Sequence, residues 1–174
     1  MSKINYDLKK IKGLAFDVDG VLSPSTIPFG EDGIPRRMVN IKDGYALQLA
    51  VKQGLKLAII SGAKSEAVEL RFRALGITDI YMKAADKLPC LNDWLDKNGL
   101  TPDEVAYAGD DIPDICVMRN VGLSVAPRDA DEFVKSIARY VTVADGGYGV
   151  AREILEEVMR AQGLWMSHAD AFGW

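Results

Sequence analysis

Ile11-Lys12-Gly13-Leu14-Ala15-Phe16-Asp17-Val18-Asp19-Gly20 decides how the remaining residues of this 174-residue chain are read. An apolar run too short for a helix stops on two aspartates and a glycine. Such a run suits a strand buried on both faces, with its acids at the carboxyl end. The shape recurs down the chain. Residues 55–60 run into Ser61-Gly62, and residues 105–108 run into Gly109-Asp110. A weaker apolar run covers 79–82, and two further runs cover 121–126 and 140–143. Between them lie helical patterns over 44–53, 65–75 and 87–98, each followed by a glycine (Gly54, Gly76, Gly99) that reads as a left-handed cap. Two more cover 112–120 and 150–162. Strands alternating with helices predict βαβ units, hence an α/β fold with a doubly wound, mainly parallel sheet.

Two stretches break the rhythm. Residues 25–41 carry Pro28-Phe29, a Gly30-Glu31-Asp32-Gly33 turn and Arg37-Met38-Val39, which reads as an inserted β-hairpin. Residues 166–174 follow no period and read as a loose tail, with the single histidine, His168, a solvated tail residue. No internal repeat or linker divides the chain, so one domain over 1–174 is expected.

Composition narrows the function. Hydrophobic residues make up 48% and charged residues 26%, enough for one core and too ordered a mixture for a disordered chain. The longest stretch free of charge, residues 20–30, holds two prolines and is too short to span a bilayer. Asp7 precedes any apolar run, so no secretory signal is expected. The net charge is −4 and there is no basic block, which argues against nucleic acid or an anionic membrane as partner. Cys90 and Cys116 have no metal or redox spacing, so free thiols in a reducing, cytoplasmic setting are expected. One histidine excludes a histidine-rich metal site and makes a catalytic triad implausible.

The chemistry must then come from carboxylates, amines, hydroxyls and amides. In an open parallel sheet, ligands bind beyond the carboxyl ends of the strands. Asp17 and Asp19, Ser61, and Asp110, Asp111 and Asp114 all fall at such ends, and Lys87 opens the helix after the third strand. Each residue alone reads as a turn, a helix cap or a solvated lysine. Together they form a set. Crowded carboxylates require a counter-charge, and oxygen ligands suit Mg2+. An amine and a hydroxyl beside the cation can hold the remaining oxygens of a phosphate. The set therefore reads as phosphoryl-transfer machinery, in which one carboxylate is the nucleophile and another the general acid and base.

Asp17-Val18-Asp19-Gly20, Ile60-Ser61-Gly62, Lys87 and Gly109-Asp110-Asp111-Ile112-Pro113-Asp114 resemble the four motifs of the haloacid dehalogenase (HAD) superfamily, in that family's order. Only 44 positions separate Asp17 from Ser61, too few for a large cap domain, which resembles the capless subgroup. Asn40-Ile41-Lys42-Asp43-Gly44-Tyr45 and Gly146-Gly147-Tyr148-Gly149-Val150-Ala151-Arg152-Glu153 extend the likeness to the family of 3-deoxy-D-manno-octulosonate 8-phosphate phosphatases. The resemblance implies an Mg2+-dependent phosphatase for an acidic sugar phosphate, acting through an aspartyl phosphate on Asp17. Asp19 is then the acid and base, and Ser61 and Lys87 bind the phosphoryl oxygens. Mg2+ is held by Asp17, the Asp19 carbonyl and Asp110, with Asp111 and Asp114 supporting the metal shell or orienting Lys87. It also implies a homotetramer whose active sites lie at subunit interfaces, with residues 25–41 as the assembly element. Substrate contacts are expected from Lys42, Lys64, Arg71 and Arg152. Ala63-Lys64, Lys42 and Tyr148 stand where the family usually carries arginines, which leaves a nine-carbon keto-acid sugar 9-phosphate as an alternative substrate. A phosphate-holding receiver-type domain and a non-catalytic sugar-phosphate-binding subunit are the alternatives from other classes.

Overall fold

The computed structural model describes residues 3–167, 171 and 173. Six strands, β1 (Gly13–Phe16), β2 (Lys56–Ile60), β3 (Asp79–Tyr81), β4 (Val105–Ala108), β5 (Leu123–Ala126) and β6 (Tyr140–Val141), form one sheet in the order β3-β2-β1-β4-β5-β6. Every neighbouring pair is parallel. Phe16 stands beside Ile59 on one side and Ala108 on the other. From β1 the chain winds outward to β3, then returns across β1 to wind the other way from β4. The reversal opens a crevice between β1 and β4, where such sheets bind ligands.

The period of two along each strand sorts the core into two layers. Leu14 and Phe16 of β1 and Ala106 and Ala108 of β4 face α1 (Ile41–Lys52), α2 (Glu66–Ala74) and α6 (Val150–Ala161). Ala15, Val105 and Tyr107 face the opposite layer, built on Trp94 of α3 (Lys87–Asn98) and Val117 of α4 (Ile115–Met118). Gly54, Gly76 and Gly99 end their helices at φ of 87°, 89° and 63°, as their positions predict.

The structure departs from the sequence reading in several places. β1 starts two residues later than expected, and β6 stops at Val141. There Thr142 turns inward, its hydroxyl donating to the Ala144 carbonyl at 2.7 Å. The helix expected over 112–120 is a 3-10 turn, Ile112–Asp114, followed by the short α4. A further helix, α5 (Glu132–Ile137), was not anticipated; it buries only Val134 and shows no readable period. The β-hairpin expected over 25–41 reduces to a single antiparallel bridge, Phe29 to Pro35. Pro28 and Pro35 have no amide to donate, and the returning limb is drawn to other partners. The Met38 amide donates to Ser23 Oγ at 3.1 Å, and Asn40 caps α1, taking the Lys42 amide at 2.8 Å. Within the expected tail, Ala171 is buried and its carbonyl accepts from the Tyr45 hydroxyl. His168 lies outside the described residues.

Candidate active site

Asp17 follows β1 directly, its amide bonded to the Ala108 carbonyl at 3.0 Å. The chain then folds back in a tight loop. The amides of Leu22 and Ser23 both reach the Val18 carbonyl, and the Gly20 amide reaches the Ser23 carbonyl. Gly20 takes φ +81°, and a Cβ built there would stand 1.9 Å from Asp110 Oδ2. Only glycine lets the first loop and the Asp110 loop approach so closely.

One carboxylate organises the rest. Asp114, fully buried, accepts Lys87 Nζ at 2.7 Å and the Tyr107 hydroxyl at 2.6 Å on Oδ1. On Oδ2 it accepts the amides of Asp110 at 3.0 Å and Asp111 at 3.3 Å. Lys87 Nζ also lies 2.7 Å from Asp17 Oδ2. Asp86 caps α3 just before Lys87, so the helix start aims the amine into the crevice. Ser61, at the end of β2, is buried with its amide on the Tyr81 carbonyl. Asp17, Asp19, Ser61, Lys87 and Asp110 line one cleft of about 390 Å3.

The electrostatics of the cleft are strained. Burial, then the charge of Asp114, raise Asp17 to about 6 against the pull of Lys87. Burial, then Asp114, Asp17 and Asp111, raise Asp110 to about 8. Burial pulls Lys87 down, but Asp17 and Asp114 outweigh it and hold the ammonium above its ordinary value. Burial and then Asp114 keep the Tyr107 phenol protonated. Asp17, Asp110 and Asp114 each offer an oxygen, all within 4.8 Å of one another. A hard divalent cation suits this donor set and removes the repulsion that opposes ionisation.

Arg37, which the sequence reading missed, enters from the returning limb of the 25–41 segment. Its Nε and Nη2 donate to the two oxygens of Asp19 at 2.7 and 2.9 Å. No motif marks an arginine 18 residues from its partner, and its reach depends on how the excursion folds back.

A profile of haloacid dehalogenase-like hydrolases matches residues 64–154. The 3-deoxy-D-manno-octulosonate 8-phosphate phosphatase KdsC of Escherichia coli K12 is 42% identical over 155 residues, covering 89% of this chain and 82% of that protein. The chain belongs to the haloacid dehalogenase-like hydrolases. The solved 3-deoxy-D-manno-octulosonate 8-phosphate phosphatase of Yersinia pestis superposes with a TM-score of 0.88 at 37% identity, covering 91% of this chain and 85% of that one. That of Moraxella catarrhalis, in complex with magnesium ion, phosphate ion and KDO, gives 0.89 at 34% identity, covering 96% of each chain.

In this haloacid dehalogenase-like hydrolase the expected substrate contacts divide. Lys64 and Arg71 line a second cavity of about 710 Å3 together with Arg37 and Val39. Neither Lys64 nor Arg71 makes an ion pair among the described residues. Lys42 and Arg152 do not line the cleft of this chain. Lys42 is exposed in the first turn of α1. The Arg152 guanidinium sits 4.7 Å from the Trp165 ring and 5.6 Å from the Tyr45 ring, with Nε on Glu156 at 2.9 Å. The periodicity of α6 turns it onto α1, where it is spent on packing.

The glycine-rich stretch backs the first loop. The Gly147 amide donates to the Val21 carbonyl at 2.8 Å, and the Gly146 amide to Asp129 Oδ1 at 2.8 Å.

Proposed function

We propose that the protein is an Mg2+-dependent phosphomonoesterase that hydrolyses 3-deoxy-D-manno-octulosonate 8-phosphate. The observation that carries this is Asp17 in the cleft, 2.7 Å from Lys87 and clustered with Asp110. The relatives named above act on, or bind, that sugar acid.

Asp17 Oδ attacks phosphorus in line, and the bond to the sugar oxygen breaks as Asp19 delivers a proton to it. Asp19 then takes a proton from water, which attacks the aspartyl phosphate, frees inorganic phosphate and restores Asp17. Lys87 and Ser61 bind the phosphoryl oxygens, so charge developing there meets fixed donors. Asp17, the Asp19 carbonyl and Asp110 would hold Mg2+, with Asp111 and Asp114 supporting them. When bound, the ion would supply charge neutralisation between nucleophile and phosphoryl group.

Homotetramer formation through residues 25–41 belongs to the same proposal. Phe29 is 74% and Ile41 68% exposed, an apolar surface that a second copy would cover. A cytoplasmic setting is supported by Cys90 and Cys116, which are unpaired. No described helix is long and apolar enough to cross a membrane.

The test is phosphate release from 3-deoxy-D-manno-octulosonate 8-phosphate and from a nine-carbon keto-acid sugar 9-phosphate. Faster, EDTA-sensitive turnover of the first, abolished by Asp17→Asn, is the expected result. Preference for the second would overturn the substrate, and turnover surviving Asp17→Asn would overturn the mechanism. Mass measurement by light scattering checks the tetramer.

A further inference from the structure

We propose that Arg37 is the positioning residue of Asp19, holding that carboxylate in the cleft by a two-point grip; the proposal rests on the phosphatase reading above. The guanidinium spans both oxygens of Asp19, which fixes the plane of the carboxylate as a single-point cation cannot. The pair is unequal in burial. The Arg37 side chain is 10% exposed and that of Asp19 33%, so the arginine forms a wall and the acid faces the opening. Arg37 makes the only ion pair of Asp19 among the described residues.

The limb that carries Arg37 is stitched to the same loop that carries Asp19. The amide of Met38 lies on Ser23 Oγ, and the Ser23 carbonyl in turn takes the Gly20 amide. Two residues on, Asn40 Nδ2 donates to the Gly147 carbonyl at 3.3 Å while its Oδ1 caps α1. Arg37 is thus held between a backbone tie to the first loop and a helix start. Its place is set by these ties and by the fold-back of the 25–41 segment, where the Arg36 amide donates to the Pro28 carbonyl at 2.8 Å. The guanidinium also lies at the boundary between the catalytic cleft, which Asp19 lines, and the cavity lined by Lys64 and Arg71. A carboxylate that takes a proton from the attacking water needs a fixed plane, and the grip supplies it.

The experiment is a double-mutant cycle with Arg37→Gln and Asp19→Asn, with Arg37→Lys as the conservative variant. It is read by steady-state phosphate release from 3-deoxy-D-manno-octulosonate 8-phosphate with saturating Mg2+. Arg37→Gln is expected to lower kcat on the order of tenfold to a hundredfold, a share of the roughly 10²–10⁴ a placed acid–base group contributes. KM should change by less than about threefold, since only orientation is lost. Arg37→Lys should recover part of the loss. In the Asp19→Asn background, Arg37→Gln should cost almost nothing more, because it acts through the residue already removed. Thermal melts of each variant separate this from unfolding. A kcat that is unchanged or raised overturns the proposal, as does a full additional loss in the Asp19→Asn background. So does a large rise in KM at constant kcat, which would make Arg37 a substrate contact. Failure of the wild-type chain to release phosphate would instead overturn the phosphatase reading.

Discussion

A Cβ placed on Gly146 would stand 2.0 Å from the carbonyl oxygen of Gly20. The two glycines, 126 positions apart, are in backbone contact, and through Gly20 the later one braces the loop that holds Asp17 and Asp19. Gly146→Ala must push that loop or shift the 145–149 turn. Stability should fall by about 1–3 kcal/mol, as for an overpacked core site. Turnover should fall with it even where the variant is fully folded. Denaturant melts and phosphate release check both; wild-type values in both would show that the contact bears on neither.

Tyr107→Phe removes one of the two donors on Asp114 Oδ1 and leaves Lys87 alone there. A buried hydrogen bond to a charged group contributes about 1.5–3 kcal/mol, which the melt should register. Turnover should drop as well, because Asp114 aims both Lys87 and the Asp110 amide. A folded variant with unaltered turnover would show that Asp114 needs only the lysine.

Arg152→Ala tests whether Arg152 contacts the substrate. The side chain packs on Trp165 and Tyr45 and pairs with Glu156, so its loss should cost stability, about 1–2 kcal/mol by cation–π and packing. KM for the sugar phosphate should stay at the wild-type value. A several-fold higher KM would return Arg152 to the binding site.

Asp43 gives a pH dependence. It is buried on α1, where Oδ1 accepts the Arg152 amide in the first turn of α6 at 2.7 Å. Burial raises it to about 6, against the pull of that hydrogen bond. The folded chain therefore binds this proton more tightly than the unfolded chain, whose carboxylate has a pKa of about 3.9. The stabilisation is complete below the unfolded value and is lost as pH rises through about 6. Across that window the wild type should lose on the order of 2–3 kcal/mol relative to Asp43→Asn. Parallel stability curves for the two chains, from urea melts at several pH values, would contradict this.

The sheet and the candidate site along its rim were legible because each central strand is an apolar run that ends on an acid or a hydroxyl. The runs set the strands, and the parallel order then gathers their ends. Lys87 was legible by its place at a helix start. Arg37 was not, because its contact depends on how residues 25–40 return, and prolines there prevent the ladder that alternation suggests. Arg152 was named by motif likeness alone, and the facing of α6 packs it on Trp165 and Tyr45. Helix α5 escaped because six residues with one buried side chain leave no period to read.

The union of residues 20–21 with 146–147 also bears on synthesis. While the chain leaves the ribosome, the aspartate loop emerges early and then waits for more than a hundred further residues before its brace exists. A nascent chain lacking that last turn carries every acid and the lysine, yet the loop beneath them is unsupported. Catalytic competence should therefore arrive late and all at once, so that an unfinished polypeptide does not consume substrate.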